Sequence, residues 1–364
     1  MKTLFLICSA FLAISTGNAT VRNVSNAPNA PINPPYAYNS IQTAIDACAD
    51  NDTIYLHGTN VSYGAVTIDN KQLVIIGAGF GSNLQNSTNQ ATIIGTINCT
   101  SFTGVKNLSL IGLRMEEVRC GSTSTNIVNT LYIERCGIRP NYVGADLMRC
   151  NTLYLKQCVV AEQASPYTEF KPTVNSMALV SNSVLAGSFD CSEVNAVIFE
   201  NNIFKGSQNI SYYGEAAGRV RYLNGTGTFN NNIFLSGFYL SSISNCTFKN
   251  NLFESNQSLT GQNASGNIVG TSAGLVNNYA PQGNILRGQF STSVDYHLGV
   301  GSAAIGAGLV GVDLGIYGGT SALPASNPIN GVPALPRVIG MTLQTMSVAP
   351  GGQLNVQIQA VNQN

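Results

Sequence analysis

The sequence predicts an all-β solenoid, and three observations carry that prediction: a returning motif, the alternation inside it, and a charge-poor composition. Across residues 131–253 one pattern recurs, apolar-x-apolar-x-x-[Asn/Cys]-x-apolar. It reads Leu131-Tyr-Ile-Glu-Arg-Cys-Gly-Ile138, Leu153-Tyr-Leu-Lys-Gln-Cys-Val-Val160 and Met177-Ala-Leu-Val-Ser-Asn-Ser-Val184. Val197-Ile-Phe-Glu-Asn-Asn-Ile-Phe204, Gly227-Thr-Phe-Asn-Asn-Asn-Ile-Phe234 and Cys246-Thr-Phe-Lys-Asn-Asn-Leu-Phe253 follow. An earlier copy at 108–115 has Leu at the Asn/Cys position. Starts at 108, 131, 153, 177, 197, 227 and 246 give a period of roughly 22 residues, and units of that length stack because none buries its own apolar face.

Within each copy, alternation at period two marks a strand with one buried face. The x-x step breaks the alternation, and an Asn or a small Cys stands at the break. Asn tolerates the left-handed conformation and can bond locally at a turn, and repeated Asn residues can form an amide ladder along a stack. This combination resembles the right-handed parallel β-helix, the pectate-lyase-like superfamily, over residues 36–320. The resemblance implies a right-handed parallel β-helix solenoid with an N-terminal capping helix.

Only 9% of the residues are charged, against about 25% in an average domain. There are 37 glycines, no tryptophan, and a formal net charge of zero. No basic field exists to hold nucleic acid or an anionic membrane.

Taken in order, residues 1–19 read as a secretory signal peptide, with Lys2, an apolar run and small residues ending at Ala19. The expectation is an exported chain, secreted or held at the cell surface, with no later stretch apolar enough to span a membrane. Residues 20–35, rich in Asn, Pro and Ala, read as an unstructured leader. Ile41, Ala44, Ile45 and Cys48 then fall at helical spacing behind Ser40 as N-cap. The helix, the strand Asp52-Thr-Ile-Tyr-Leu-His57 and Leu73-Val-Ile-Ile-Gly77 resemble the N-terminal cap of extracellular β-helix proteins. Residues 321–336 read as a linker. The tail, 337–364, reads as a β-hairpin, a contact point for the cell envelope or a protein partner.

A second column precedes the main motif: Ile97-Asn-Cys99, Val118-Arg-Cys120, Met148-Arg-Cys150, Phe170-Lys-Pro172 and Phe189-Asp-Cys191. If these stack, Asn98, Arg119, Arg149, Lys171 and Asp190 form an outward row, with Glu117 and Glu169 beside it. The bland reading is a self-neutralising surface ladder; the sharper one is a strip that binds an extended anionic polymer. In the main motif the outward positions are Tyr132 and Glu134, Tyr154 and Lys156, Ala178 and Val180, Ile198 and Glu200. Tyr132 above Tyr154 serves either as a sugar-stacking platform or as ordinary sheet stabilisation.

The nine cysteines include Cys8 in the signal segment. Cys136 with Cys158, and Cys99 with Cys120, Cys150 and Cys191, fall into stacked columns. Neighbours in a stack meet the Cα distance of a disulfide, but their Cβ vectors run parallel, so buried thiols acting as small apolar residues are favoured. A line of cysteines does not converge on a metal. The two histidines, His57 and His297, are far apart.

The fold alone does not choose a function. The residues favour a non-catalytic surface, adhesion or carbohydrate-binding module with no cofactor. The alternatives are a polysaccharide lyase or glycoside hydrolase, and a plain structural scaffold. No local Asp pair of the hydrolase kind stands out. A lyase would use Lys171 or Arg149 as base, with Glu117, Glu169 or Asp190 holding Ca2+.

Overall fold

The computed structural model describes residues 19–30, 32–59, 61–80, 92–120, 127–138, 148–160, 169–170, 172–186, 188–205, 219–224, 226–277, 295–323, 337–343 and 356–361. The molecule is almost all β: a long parallel sheet, one short helix near the N-terminus, and an antiparallel C-terminal hairpin. No helix among the described residues is long and apolar enough to cross a membrane.

Each main strand pairs, in parallel, with the equivalent strand of the next repeat rather than with its sequence neighbour. One inward column therefore runs Ile54, Ile75, Leu110, Ile133, Leu155, Val180, Phe199, Phe229, Phe248. Every member is fully buried. A second parallel column, on the short strands after the turn, runs Ile94, Met115, Ile138, Val160, Leu185, Phe204, Phe234, Phe253. Both columns, with Ile97, Val118, Cys99 and Cys120 of a third, share one hydrophobic core.

The register corrects one copy of the motif. Leu153 pairs with Ala178 and Leu155 with Val180, so that repeat starts at 178. Ala178 and Val180, expected outward, are buried, while Met177 and Leu179 are half-buried on the other side. The sheet also continues past Phe253, beyond the last copy of the motif: Asn263–Ser265 and Ile268–Val269 extend both ladders.

At the break in alternation, two successive residues divide the work that the sequence assigns to one Asn. The first adopts the left-handed conformation: Arg135, Gln157, Asn182, Asn201, Asn231 and Asn250 all have φ between 47 and 56°. The second is buried and accepts from the preceding turn. Asn202 N and Nδ2 donate to Asn232 Oδ1 at 2.9 and 3.0 Å. Asn232 donates in the same way to Asn251 (3.0 and 3.0 Å), and Asn251 to Asn267 (3.0 and 2.9 Å). In earlier repeats Ser183 Oγ, Cys158 Sγ and Cys136 Sγ take the acceptor role. Each member satisfies a backbone donor that the turn would otherwise strand in the core.

Residues 295–323 lie against the outer side of the short strands. Val159, Val184, Ile203, Ile233 and Leu252 form a second apolar cluster with Tyr296, Ala304, Leu314, Ile316 and Leu323. The left-handed residues hold this strap. Asn250 Nδ2 donates to Ala307 O (2.9 Å), and Leu309 N donates to Asn231 Oδ1 (2.8 Å). Asn182 Nδ2 donates to Ile316 O and Gly318 O (3.0 and 2.9 Å), and Gln157 Nε2 to Ser321 O (2.8 Å). The strap thus runs back down the stack. Gly319, at φ +75°, passes so close to Asn201 that a Cβ there would lie 2.1 Å from Nδ2. Asp313 Oδ1 accepts from Gly306 N at 2.8 Å, fixing a turn.

At the other end, Val21–Val24, inside the stretch that reads as an unstructured leader, forms a parallel strand on Asp52–Leu56. Arg22 and Asp52 are buried as an ion pair at 2.5 Å. The helix Ile41–Ala47 begins at Ser40, whose Oγ accepts from Thr43 N, and buries Ile41, Ala44 and Ile45. Arg337–Leu343 and Val356–Val361 form the expected hairpin.

Candidate functional site

On the outward side of the main sheet, Ser109, Tyr132, Tyr154, Leu179 and Ile198 lie in register. The Tyr132 and Tyr154 rings stand 6.0 Å apart, tilted by 50°. Two residues along each strand, Ile111, Glu134, Lys156, Ser181, Glu200, Asn230 and Lys249 make the neighbouring row. Tyr132 Oη donates to Glu134 Oε2 at 2.9 Å, and Lys156 Nζ lies 3.4 Å from the other oxygen. Burial, with the Glu134 charge behind it, pushes the Tyr132 phenol well above its ordinary range. This row is a charge-alternating ladder.

The predicted outward row of the second column does not form as one line. Asn98 pairs with Arg119, as expected. Met148, however, sits opposite Cys120 rather than Val118, so the register moves by two residues. Arg149 then lies opposite Thr173, not beneath Arg119. Cys150 likewise faces Val128 and Val174 rather than another cysteine. Lys171 lies outside the described residues. Glu117 is buried, and its Oε2 lies 2.6 Å from Nε of the half-exposed Arg119.

Glu169–Phe170, Ser188–Asp190, Arg219–Asn224 and Tyr239–Ser244 form a separate four-stranded parallel sheet. Glu169 pairs through its backbone with Ser188. Asp190 finds a partner absent from the sequence reading: it lies opposite Arg221, with Nη2 3.3 Å from Oδ2. Its Oδ1 accepts from Ser192 N at 2.8 Å. The Arg221 guanidinium carbon stands 4.8 Å from the Tyr222 ring centroid, and Arg219 lies opposite Tyr239. Tyr222 and Tyr239 are exposed, at 44% and 49%.

Tyr222 and Ser242 both adopt positive φ, 64° and 52°, between two paired positions, so the adjacent strands bend together. A bulky residue in that conformation is strained, and here the bend carries an exposed ring beside Arg221. The signal in the sequence was Gly218-Arg-Val-Arg-Tyr222, a cationic aromatic cluster in a chain otherwise poor in charge.

The geometry therefore unites Tyr132 with Tyr154, Glu117 with Arg119, and Asp190 with Arg221; Glu117 and Asp190 each point at their own arginine. Among the described residues, no three His, Cys, Asp or Glu side chains are grouped so as to hold a metal ion. No protein-family model matches the chain, and no curated protein matches it.

Proposed function

We propose that the chain is an exported right-handed parallel β-helix protein that binds an extended polysaccharide without cleaving it. Three observations support the winding. The strands pair one repeat apart, three columns point into one core, and polar ladders run along the turns. The pectate-lyase-like resemblance and the signal-like residues 1–19 fit an exported solenoid, secreted or displayed at the cell surface.

The observation that carries the functional reading is the pairing of charge. Glu117 with Arg119, Glu134 with Lys156, and Asp190 with Arg221 are ion pairs. Among the described residues the partners of these pairs point at one another, not at one shared place where a general acid and a general base would flank the same bond. Recognition needs neither role. Tyr222 and Tyr239 offer flat apolar faces with polar rims, Arg219 and Arg221 add cationic hydrogen-bond donors, and Tyr132 and Tyr154 form a second aromatic pair, its rings tilted by 50°.

The test is to run the purified chain through gels containing neutral and acidic polysaccharides, while following polymer length and unsaturated ends. The expected result is retardation by at least one polymer without shortening, lost in the Tyr222→Ala/Tyr239→Ala double variant. Shortening that vanishes in Arg149→Ala or Lys171→Ala would instead make the protein a lyase, with calcium dependence as its second mark. Neither retardation nor shortening across the panel would leave a structural scaffold.

A further inference from the structure

We infer that Cys99 and Cys120 join in a disulfide between neighbouring strands when the chain folds in contact with a disulfide-bearing oxidant. The two residues are direct register partners. Paired strands lie about 4.8 Å apart, within the Cα separation of about 4.4–6.8 Å that a disulfide spans. Parallel Cβ vectors argue against a bond, but the side chains have already converged: the sulfurs stand 3.0 Å apart. Closing to the bond length of about 2.05 Å asks each sulfur to move by roughly half an ångström.

The other stacked pair makes an instructive control. Cys136 Sγ accepts from Leu113 N and donates to Glu134 O, at 3.4 and 3.3 Å. Cys158 Sγ accepts from Cys136 N and donates to Lys156 O, at 3.4 and 3.2 Å. Those sulfurs occupy the turn ladder, where Asn oxygens stand in later repeats. Joining them would remove the S–H each donates and draw each sulfur away from the backbone N–H it accepts from, so they stay thiols.

The chemistry balances as two exchanges. One cysteine thiolate attacks a sulfur of the oxidant's disulfide and expels one thiolate. The second cysteine then attacks the mixed disulfide, forms the Sγ–Sγ bond and expels the other. The protein loses two protons and two electrons, and the oxidant gains them as two thiols. In the folded, reduced chain the hydrogen bond from the Cys120 thiol to Cys99, with burial behind it, holds that thiol far above its ordinary value. Exchange needs a thiolate, so the bond forms before this strand is covered.

The export reading supplies the cellular setting, whereas the test supplies the oxidant directly, so the two fail separately. The full chain is reduced, unfolded and refolded with or without a glutathione redox buffer. The folded fraction is isolated, then unfolded in iodoacetamide without reductant and mapped by mass spectrometry. The expected result, in the oxidant arm only, is a dominant linked peptide joining Cys99 to Cys120 with two cysteines protected from alkylation. The link persists in Cys136→Ser and is lost in Cys99→Ser. Alkylation of every cysteine in the oxidant arm, or a link joining another pair, overturns the inference.

Discussion

The repeats at 131 and 153 and those at 227 and 246 occupy the same positions with different chemistry. In the early pair, Leu131 and Leu153 stand beside Ile133 and Leu155, and cysteine sulfurs serve the turn. In the late pair, Gly227 and Cys246 stand beside Phe229 and Phe248, and asparagine amides serve the turn. The phenylalanines stack along the axis: Phe229 on Phe248 at 4.5 Å and 5°, Phe234 on Phe253 at 4.4 Å and 7°. As the third and eighth positions grow to phenylalanine, the first shrinks. A Cβ on Gly227 would lie 2.9 Å from Leu223 Cδ1, 3.0 Å from Cys246 Sγ and 3.2 Å from Phe229 Cε2. The cross-section, rather than any one residue, is what the repeats preserve.

Phe229→Ala gives the largest expected effect, a loss of about 3–5 kcal/mol from the cavity opened between two stacked rings. Chemical denaturation at an unchanged m-value reads it, and a loss under about 1 kcal/mol would mean that the stack relaxes freely.

Next comes Asn232→Ala. Its amide accepts from Asn202 and donates to Phe199 O and Asn251 Oδ1 in a fully buried turn. Stranding those partners costs about 3 kcal/mol.

Gly227→Ala is expected to cost about 1–2 kcal/mol by overpacking, and Phe229→Leu in the same chain should recover part of it. Strict additivity in that double-mutant cycle would break the idea of a shared cross-section.

The smallest effect belongs to the outer amide ladder at the opposite corner. Asn129 Nδ2 donates to Asn107 Oδ1, Asn151 to Asn129 and Asn175 to Asn151, at 3.1, 3.2 and 3.2 Å. These groups reach solvent, so Asn151→Ala should cost under about 1 kcal/mol. A cost equal to that of Asn232→Ala would show that burial is not what separates the two ladders.

The inner ladder was legible because its Asn and Cys residues recur inside the motif. The outer one lies two or three residues ahead of it, in Asn129-Thr-Leu131, Asn151-Thr-Leu153 and Asn175-Ser-Met-Ala178, where turn-rich composition hides it. The charged row was misread for another reason. Aligning apolar-x-Cys triplets assumes a constant register, whereas Met148 sits opposite Cys120, so Arg119 and Arg149 separate. Asp190 could not be matched with Arg221 from spacing alone, since 30 residues lie between them instead of one regular repeat.

By itself the sequence determined the period, the inward columns on either side of each turn, the short helix that starts at Ser40 and the terminal hairpin. Those follow from local alternation and capping chemistry, which a single strand or helix already expresses. Only the tertiary structure decided which phase of Met177-Ala-Leu-Val180 faces the core. All four residues are apolar, so period two permits both phases, and backbone pairing of Leu153 with Ala178 selects one. The tertiary structure also decided that 302–323 lies along the turns as a strap. Its glycines and small residues carry no periodicity, and its place is set by the column of left-handed side chains it meets.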